Sequence, residues 1–247
     1  MSPRTLQTVD GLDLPARRLL VDGIPRAAVV VVHGFSASAA CPQVEALAQA
    51  LHGQDLDVVT YDARGHGSSP GESTLGDHEQ HDVAAAVDLA RERCDEVVVV
   101  GASMGAIAVL RYATTDPALA GVVAVSCPAE WRLPRNVRGA LAAAMTRTGF
   151  GRRITAKLSG VRVARKWTNP LPPVELAPQL RAPITYVHGT KDRFIPLHDA
   201  ALLYEATPEP RELRVIRGMG HAYEPLAIEP ISNAVAWALA HQLSATS

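Results

Sequence analysis

Short valine-rich runs alternate along the chain with segments in which apolar residues recur every three or four positions. A continuous apolar run bounded by polar residues predicts a buried strand, and the three-to-four spacing predicts an amphipathic helix. Four strands are predicted in the first half of the chain, at 28–32, 57–61, 96–100 and 121–126. Helices are predicted after the first three of these strands, at 42–52, 77–93 and 104–114.

The two ends of the chain extend this pattern. Asp10-Gly11, between predicted strands at 5–9 and 12–20, indicates a tight antiparallel hairpin. Two more strands are predicted at 183–189 and 212–216, and a last helix at 226–243. Strands that alternate with helices predict an α/β fold, here a mainly parallel, twisted sheet with helices on both faces. In such folds the ligand site lies at the carboxyl ends of the strands.

The most informative motif is Gly101-Ala102-Ser103-Met104-Gly105, which stands between a predicted strand and a predicted helix. Gly-x-Ser-x-Gly at a strand-to-helix corner is the pattern of a nucleophile elbow, a strained turn that exposes the serine hydroxyl. Glycines flank the serine because a Cβ there would collide with the neighbouring backbone. Ser103 is therefore the candidate nucleophile. The alternative is a glycine-rich turn that only closes the sheet.

A nucleophilic serine needs a base, and the base needs an acid that orients it. Asp192 follows the predicted strand 183–189, and His221 lies in a glycine-rich loop after the strand 212–216. Taken singly, each residue is equally well explained as a turn former or a surface histidine. Together they complete the order serine, acid, histidine at three strand ends, which predicts a catalytic triad.

An oxyanion hole is the remaining part of such a site. One donor is the backbone N–H after the nucleophile, here that of Met104, and the second comes from the loop after strand 28–32. That loop reads His33-Gly34-Phe35, so Phe35 is the second candidate donor. His33 is interpreted as structural, with its imidazole bonded to nearby backbone.

At this point the chain resembles the α/β-hydrolase family over nearly its whole length, in particular its serine esterase and lysophospholipase- or monoacylglycerol-lipase-like branch. The resemblance rests on His33-Gly34-Phe35, on residues 61–68, 101–105 and 188–192, and on Gly220-His221. It implies that Asp62, Arg64 and His66 of the D-x-R-G-x-G-x-S loop are structural. The serine at position 103 argues against the haloalkane dehalogenases and epoxide hydrolases of this fold, which by the same resemblance would carry an aspartate there, and against dienelactone hydrolases, which would carry a cysteine.

The length of 247 residues and the apolar fraction of 47% are typical of a single folded domain, here residues 1–247. The net charge of −1 gives no reason to expect a nucleic-acid partner. No apolar run reaches the roughly 20 residues that span a bilayer, and no secretory signal opens the chain. Three dispersed cysteines imply no disulfide framework, so we expect a cytoplasmic location. His78 and His81, three residues apart in an acidic helix start, are interpreted as solvated, so no metal site is expected there. A serine triad needs no cofactor, so none is expected.

Residues 128–181 interrupt the alternation of strands and helices, where the family resemblance implies a cap insertion over the site. This segment holds eleven lysines and arginines but two glutamates. Val137, Leu141, Met145 and Thr148 have helical spacing, which predicts an amphipathic helix facing the pocket. The charge admits two interpretations. In the first, the basic residues attract anionic substrates, such as an acyl phosphopantetheine carrier, a coenzyme A ester or a phospholipid head group. In the second, they form a solvated face that only keeps the segment soluble.

The motifs together predict a serine hydrolase that cleaves a carboxylic ester or thioester through an acyl-enzyme on Ser103. Two alternatives stay open. One is a thioesterase or acyltransferase of a lipid or polyketide pathway, and the other is a binding scaffold of the same fold without hydrolytic activity. Covalent labelling by a fluorophosphonate separates the enzymes from the scaffold.

Overall fold

The computed structural model describes residues 2–131, 148–166 and 168–242. Within these ranges the chain forms an eight-stranded sheet in the order β1-β2-β4-β3-β5-β6-β7-β8. The strands are β1 Ser2–Gln7, β2 Asp13–Leu19, β3 Ala28–Val32, β4 Asp57–Tyr61, β5 Val97–Ala102, β6 Gly121–Val125, β7 Ile184–Gly189 and β8 Arg211–Ile216. The predicted α/β fold is confirmed.

Strand β2 runs antiparallel to both of its neighbours, and every pair from β4 through β8 is parallel. The predicted antiparallel hairpin is present, but β1 ends at Gln7 and β2 begins at Asp13, so the connection is longer than the tight turn predicted at Asp10-Gly11. Gly11 in this connection has φ 85°, in the left-handed region that favours glycine. Strands β3 and β5 are adjacent at the centre and are buried along their whole length. Burial on both faces explains why these strands read as unbroken apolar runs.

Helices cover both faces of the sheet, as predicted. They are α1 Pro42–His52, α2 Glu79–Arg91, α3 Met104–Ala113, α4 Gly149–Ser159, α5 Pro173–Leu176, α6 Leu197–Ala206 and α7 Ile228–Ala240. One core packs α2, α3 and α6 against the sheet, and a second core packs α1 and α7 against the opposite face. No helix in the described residues is long and apolar enough to cross a bilayer.

Two helices begin later than their sequence pattern predicts. Helix α2 starts at Glu79 instead of residue 77, because the Glu79 carboxylate accepts hydrogen bonds from the N–H groups of Thr74 and Gly76. These bonds fold the preceding loop over the helix start. Helix α7 starts at Ile228, since Pro225–Ala227 forms a separate 3₁₀ turn.

Between β6 and β7 the described part of the predicted cap contains α4, a strap of residues 160–166 after it, and α5. Ser73 of the loop after β4 pairs with this strap: its N–H donates to Arg162 O and its carbonyl accepts from Ala164 N. The strap therefore rests on the loop that follows β4. Of the amphipathic helix predicted on Val137, Leu141, Met145 and Thr148, the first three residues lie outside the described residues. Thr148 is the extended N-cap residue of α4. The cap's role as a lid stays a prediction.

Candidate active site

Ser103 occupies the strained turn that the sequence predicts. It has φ 53° and ψ −112° and joins β5 directly to α3. A residue with a Cβ rarely adopts this conformation, and such strain concentrates at functional sites. The flanking glycines are required by space: a Cβ on Gly105 would lie 2.6 Å from His33 O, and one on Gly101 would overlap Gly105 O.

Two backbone N–H groups beside Ser103 are open for an acceptor. Within the described ranges, neither Met104 N nor Phe35 N takes part in a hydrogen bond. The loop that carries Phe35 lies against the turn, since a Cβ on Gly34 would be 3.2 Å from Ala102 O and 3.4 Å from the Ser103 Cβ. Both donors therefore belong to segments in contact with the serine, as an oxyanion site requires.

Asp192 and His221 are joined by a 2.8 Å hydrogen bond from Nδ1 of the ring to Oδ2 of the carboxylate. The second oxygen of Asp192 accepts from the N–H groups of Phe194 and Ile195 at 2.9 and 3.0 Å. Burial opposes ionisation of Asp192, but the bonds from His221 and the two N–H groups outweigh it and lower the pKa of the carboxyl. An ionised acid thus holds the ring with Nδ1 protonated and Nε2 available as a base.

No hydrogen bond links Ser103 to His221 in the described part of the chain. Ser103 follows β5, whereas Asp192 and His221 follow β7 and β8. All three thus come from loops at the carboxyl ends of parallel strands. Catalytic hydrogen bonds are often long in enzymes without substrate and tighten in the substrate complex.

Two residues near the pair went unrecognised in the sequence. The Phe194 ring packs against His221 with 5.0 Å between ring centroids, so Phe194 contacts the imidazole and also bonds Asp192 through its N–H. His188 is fully buried in β7, where its Nε2 donates to Ile195 O at 3.1 Å and lies 3.8 Å from Asp192 Oδ2. The one indication in the sequence of a role for Phe194 and His188 is that both lie close to Asp192.

A sequence model for the serine aminopeptidase S33 family of hydrolases matches residues 23–167, more than half of the chain. The chain belongs to this α/β-hydrolase family. It is 34% identical over 127 residues to monoglyceride lipase of Mus musculus, which covers 49% of this chain and 41% of that protein. It is 27% identical over 184 residues to the uncharacterized protein YqkD of Bacillus subtilis, covering 67% of this chain and 56% of that protein.

The chain spans about half the length of the curated relatives it matches. Among solved structures it is similar to the Pyrococcus furiosus esterase Pf2001, with a TM-score of 0.74, 20% identity, and coverage of 98% of this chain and 92% of that one. At this identity the likeness shows the fold alone.

His33 is bonded to nearby backbone in the loop that carries Phe35, as its sequence context indicates. Its Nε2 accepts from Ala63 N at 3.0 Å, and its Nδ1 donates to Gly34 O at 2.8 Å. Burial, together with the neighbouring His66 ring, lowers the pKa of His33 to about 4. The neutral ring thus fixes the segment that carries Phe35.

The loop after β4 has the structural role that the family resemblance implies. Asp62 accepts from the N–H groups of Ala39 and Ser68, which ties the loop to the segment before α1. Arg64 is buried and pairs with Asp82 at 2.7 Å and with Asp10 at 2.6 Å. The guanidinium therefore joins this loop to α2 and to the β1–β2 hairpin.

Arg64→Met is expected to lower the free energy of unfolding by about 3–5 kcal/mol, because it leaves Asp82 buried without its cation. Urea denaturation followed by circular dichroism measures the loss. Arg17→Met is the matched control, since the Arg17–Glu45 pair is exposed and such pairs contribute about 0–1 kcal/mol. Equal effects of the two substitutions would contradict the structural role of Arg64.

One group of described residues brings metal-ligand atoms together: Asp10, His78 and His81 have ligand atoms within 4.8 Å of one another. Both oxygens of Asp10 are already bonded by Arg64, and one also accepts from the Thr8 hydroxyl. This pairing lowers the pKa of Asp10 far below its ordinary range. A carboxylate so committed to a guanidinium is a poor ligand for a second cation.

Proposed function

We propose that this α/β hydrolase cleaves small-molecule carboxylic esters or thioesters through an acyl-enzyme on Ser103. The observation that supports the proposal is the combination of the strained Ser103 turn with the hydrogen-bonded Asp192–His221 pair at neighbouring strand ends. The name of the mouse relative, a monoglyceride lipase, supports an ester substrate. Three free cysteines support a reducing cytoplasm as the place of action.

In the proposed mechanism Nε2 of His221 accepts the hydroxyl proton as Ser103 Oγ attacks the acyl carbonyl. Asp192 keeps Nδ1 protonated and stabilises the imidazolium that forms. The N–H groups of Phe35 and Met104 donate to the oxygen that gains negative charge, and one such donor typically contributes about 3–4 kcal/mol to lowering the barrier. His221 then returns the proton to the leaving alcohol or thiol.

Deacylation repeats these steps with water as the nucleophile. His221 removes a proton from the water, and the new oxyanion occupies the same pair of donors. The acid then leaves, and Ser103 regains its proton. Apart from the substrate and water, every group that acts in the two half-reactions is a side chain or backbone N–H of this chain. The proposed reaction therefore needs no cofactor.

A panel of p-nitrophenyl esters of graded acyl length, assayed beside acyl-coenzyme A esters, tests the proposal. We expect turnover of at least one class and covalent labelling by a fluorophosphonate at one serine per chain. Labelling without turnover to water, but with transfer to an added alcohol, would favour the acyltransferase. An enzyme that is neither labelled nor active would favour the scaffold instead.

A further inference from the structure

The described part of the cap contains a cavity with an unusual lining. It has a volume of about 510 Å³ and lies between α4, the strap after α4 and Glu72 of the loop after β4. Four arginines line it together with this single carboxylate, and Phe150 of α4 supplies part of an apolar wall. The arginines are Arg152, Arg153, Arg162 and Arg165.

Positive charge predominates in the described residues that line this cavity. Residues 148–166 include six lysines and arginines and no aspartate or glutamate. Among the described residues, neither Arg153 nor Arg165 has a carboxylate within ion-pair distance. Like charges on residues that line one cavity repel each other, so the arrangement favours an anion of more than one negative charge.

One of the arginines is held in place by backbone. Arg162 donates from Nε to Gly71 O at 3.1 Å and from its Nη2 to Ser69 O. These bonds fix the guanidinium beside the loop after β4, so its position is set before any ligand enters. With Nε and Nη2 bonded to backbone, Nη1 of Arg162 is the nitrogen that makes no hydrogen bond in the described residues and can donate to a phosphate oxygen.

The cavity wall is connected to the candidate nucleophile. Val163, which lines the cavity, forms a β-bridge with Ser73. The Ser73 hydroxyl contacts the sulfur of Met104 at 3.4 Å, and Met104 directly follows Ser103. The cavity and Ser103 therefore meet the same loop at the carboxyl ends of the strands.

We infer that the cavity binds a phosphate ester group carried by the leaving portion of the substrate. The hydrolase then acts on an acyl group attached to a phosphorylated alcohol or thiol, with the phosphate held by the cap arginines. This inference rests on the proposed acyl hydrolysis at Ser103. Two sources share the chemistry, a phosphorylated glycerol of a lysophospholipid and the phosphates of coenzyme A.

A matched pair of substrates isolates the phosphate. Octanoylglycerol and octanoylglycerol phosphate differ only in that group, and octanoyl-coenzyme A tests the second source. At low ionic strength we expect kcat/KM to favour at least one phosphorylated substrate over octanoylglycerol by about tenfold or more, through KM, because charge attraction acts on binding. The substrate that shows the preference identifies the source.

Charge reversal of the cavity provides the second arm. In the double variant Arg153→Glu with Arg165→Glu, we expect the KM of the preferred phosphorylated substrate to rise about tenfold or more, while octanoylglycerol hydrolysis is unchanged. Lys157→Glu is the matched control, since Lys157 lies on α4 but does not line the cavity. We expect Lys157→Glu to change kcat/KM by less than twofold for either substrate.

Calorimetric titration with coenzyme A and with glycerol phosphate tests the site without turnover. We expect the wild type to bind at least one of these probes and the double variant to lose that binding. Hydrolysis of octanoylglycerol without phosphate preference or probe binding would overturn the site and leave the proposed function standing. Probe binding with no hydrolysis of any substrate would overturn the proposed function, and with it this inference. Equal effects of Lys157→Glu and the double variant would also overturn the site.

Discussion

Ser103→Ala is expected to abolish hydrolysis and covalent labelling. Loss of a comparable nucleophile lowers kcat by about 10⁶, and the remaining rate comes from the oxyanion site and substrate binding. Steady-state assay with the best substrate of the panel, beside fluorophosphonate labelling with mass spectrometry, measures both losses. The effect is the largest we expect of any single substitution, because no step of the proposed reaction proceeds without the Ser103 oxygen.

The fold is expected to survive this substitution. Alanine keeps the Cβ, so the strain at φ 53° is unchanged, and no hydrogen bond of the Ser103 hydroxyl is lost among the described residues. Thermal unfolding should therefore occur at the wild-type temperature. Ser159→Ala, at the end of α4, is the matched control and should keep full activity. Wild-type labelling of Ser103→Ala would place the nucleophile at another residue.

The turn around Ser103 was predictable because its cause is local. The residues that form the turn are neighbours in the sequence: valines before it, glycines on either side of Ser103 and helix formers after it. Each residue type is favoured at its position for a steric reason. The sheet was also predictable from local sequence. Strands such as Val97–Ala102 are buried on both faces, so each appears in the sequence as an unbroken apolar run. The predicted start of α2 was wrong where a side chain bonds its own preceding loop, since the Glu79 carboxylate accepts from Thr74 N and Gly76 N.

Other contacts could not be read from the sequence, because they join segments far apart in the chain. Arg64 pairs with Asp10, 54 positions away, and nothing in the local pattern indicates that partner. Likewise, Arg162 donates to Gly71 O and Ser69 O across more than 90 positions of the chain, and nothing in the local sequence indicates these partners. The excess of positive charge in residues 128–181 is visible in the sequence, but the presence of four of these arginines in the lining of one cavity is not.

Asp192→Asn is expected to lower kcat by about 10⁴, because the amide favours the wrong tautomer of the catalytic ring. The N–H groups of Phe194 and Ile195 both point to one oxygen of Asp192, so the asparagine carbonyl will occupy that position. Its NH₂ group then faces Nδ1 of His221. The ring must accept there and carry its proton on Nε2, where it cannot take the proton of Ser103.

Asp199→Asn is the matched control for this substitution. Asp199 lies in the next helix, and its carboxylate accepts from Ala129 N at 3.0 Å, a bond that an asparagine carbonyl also makes. We expect this variant to keep nearly all activity, with both proteins compared by kcat and by binding of a substrate analogue. Asp192→Asn should bind the analogue as the wild type does, since the defect lies in proton transfer. Near-normal kcat in Asp192→Asn, or a collapse in Asp199→Asn, would mean that another carboxylate orients His221.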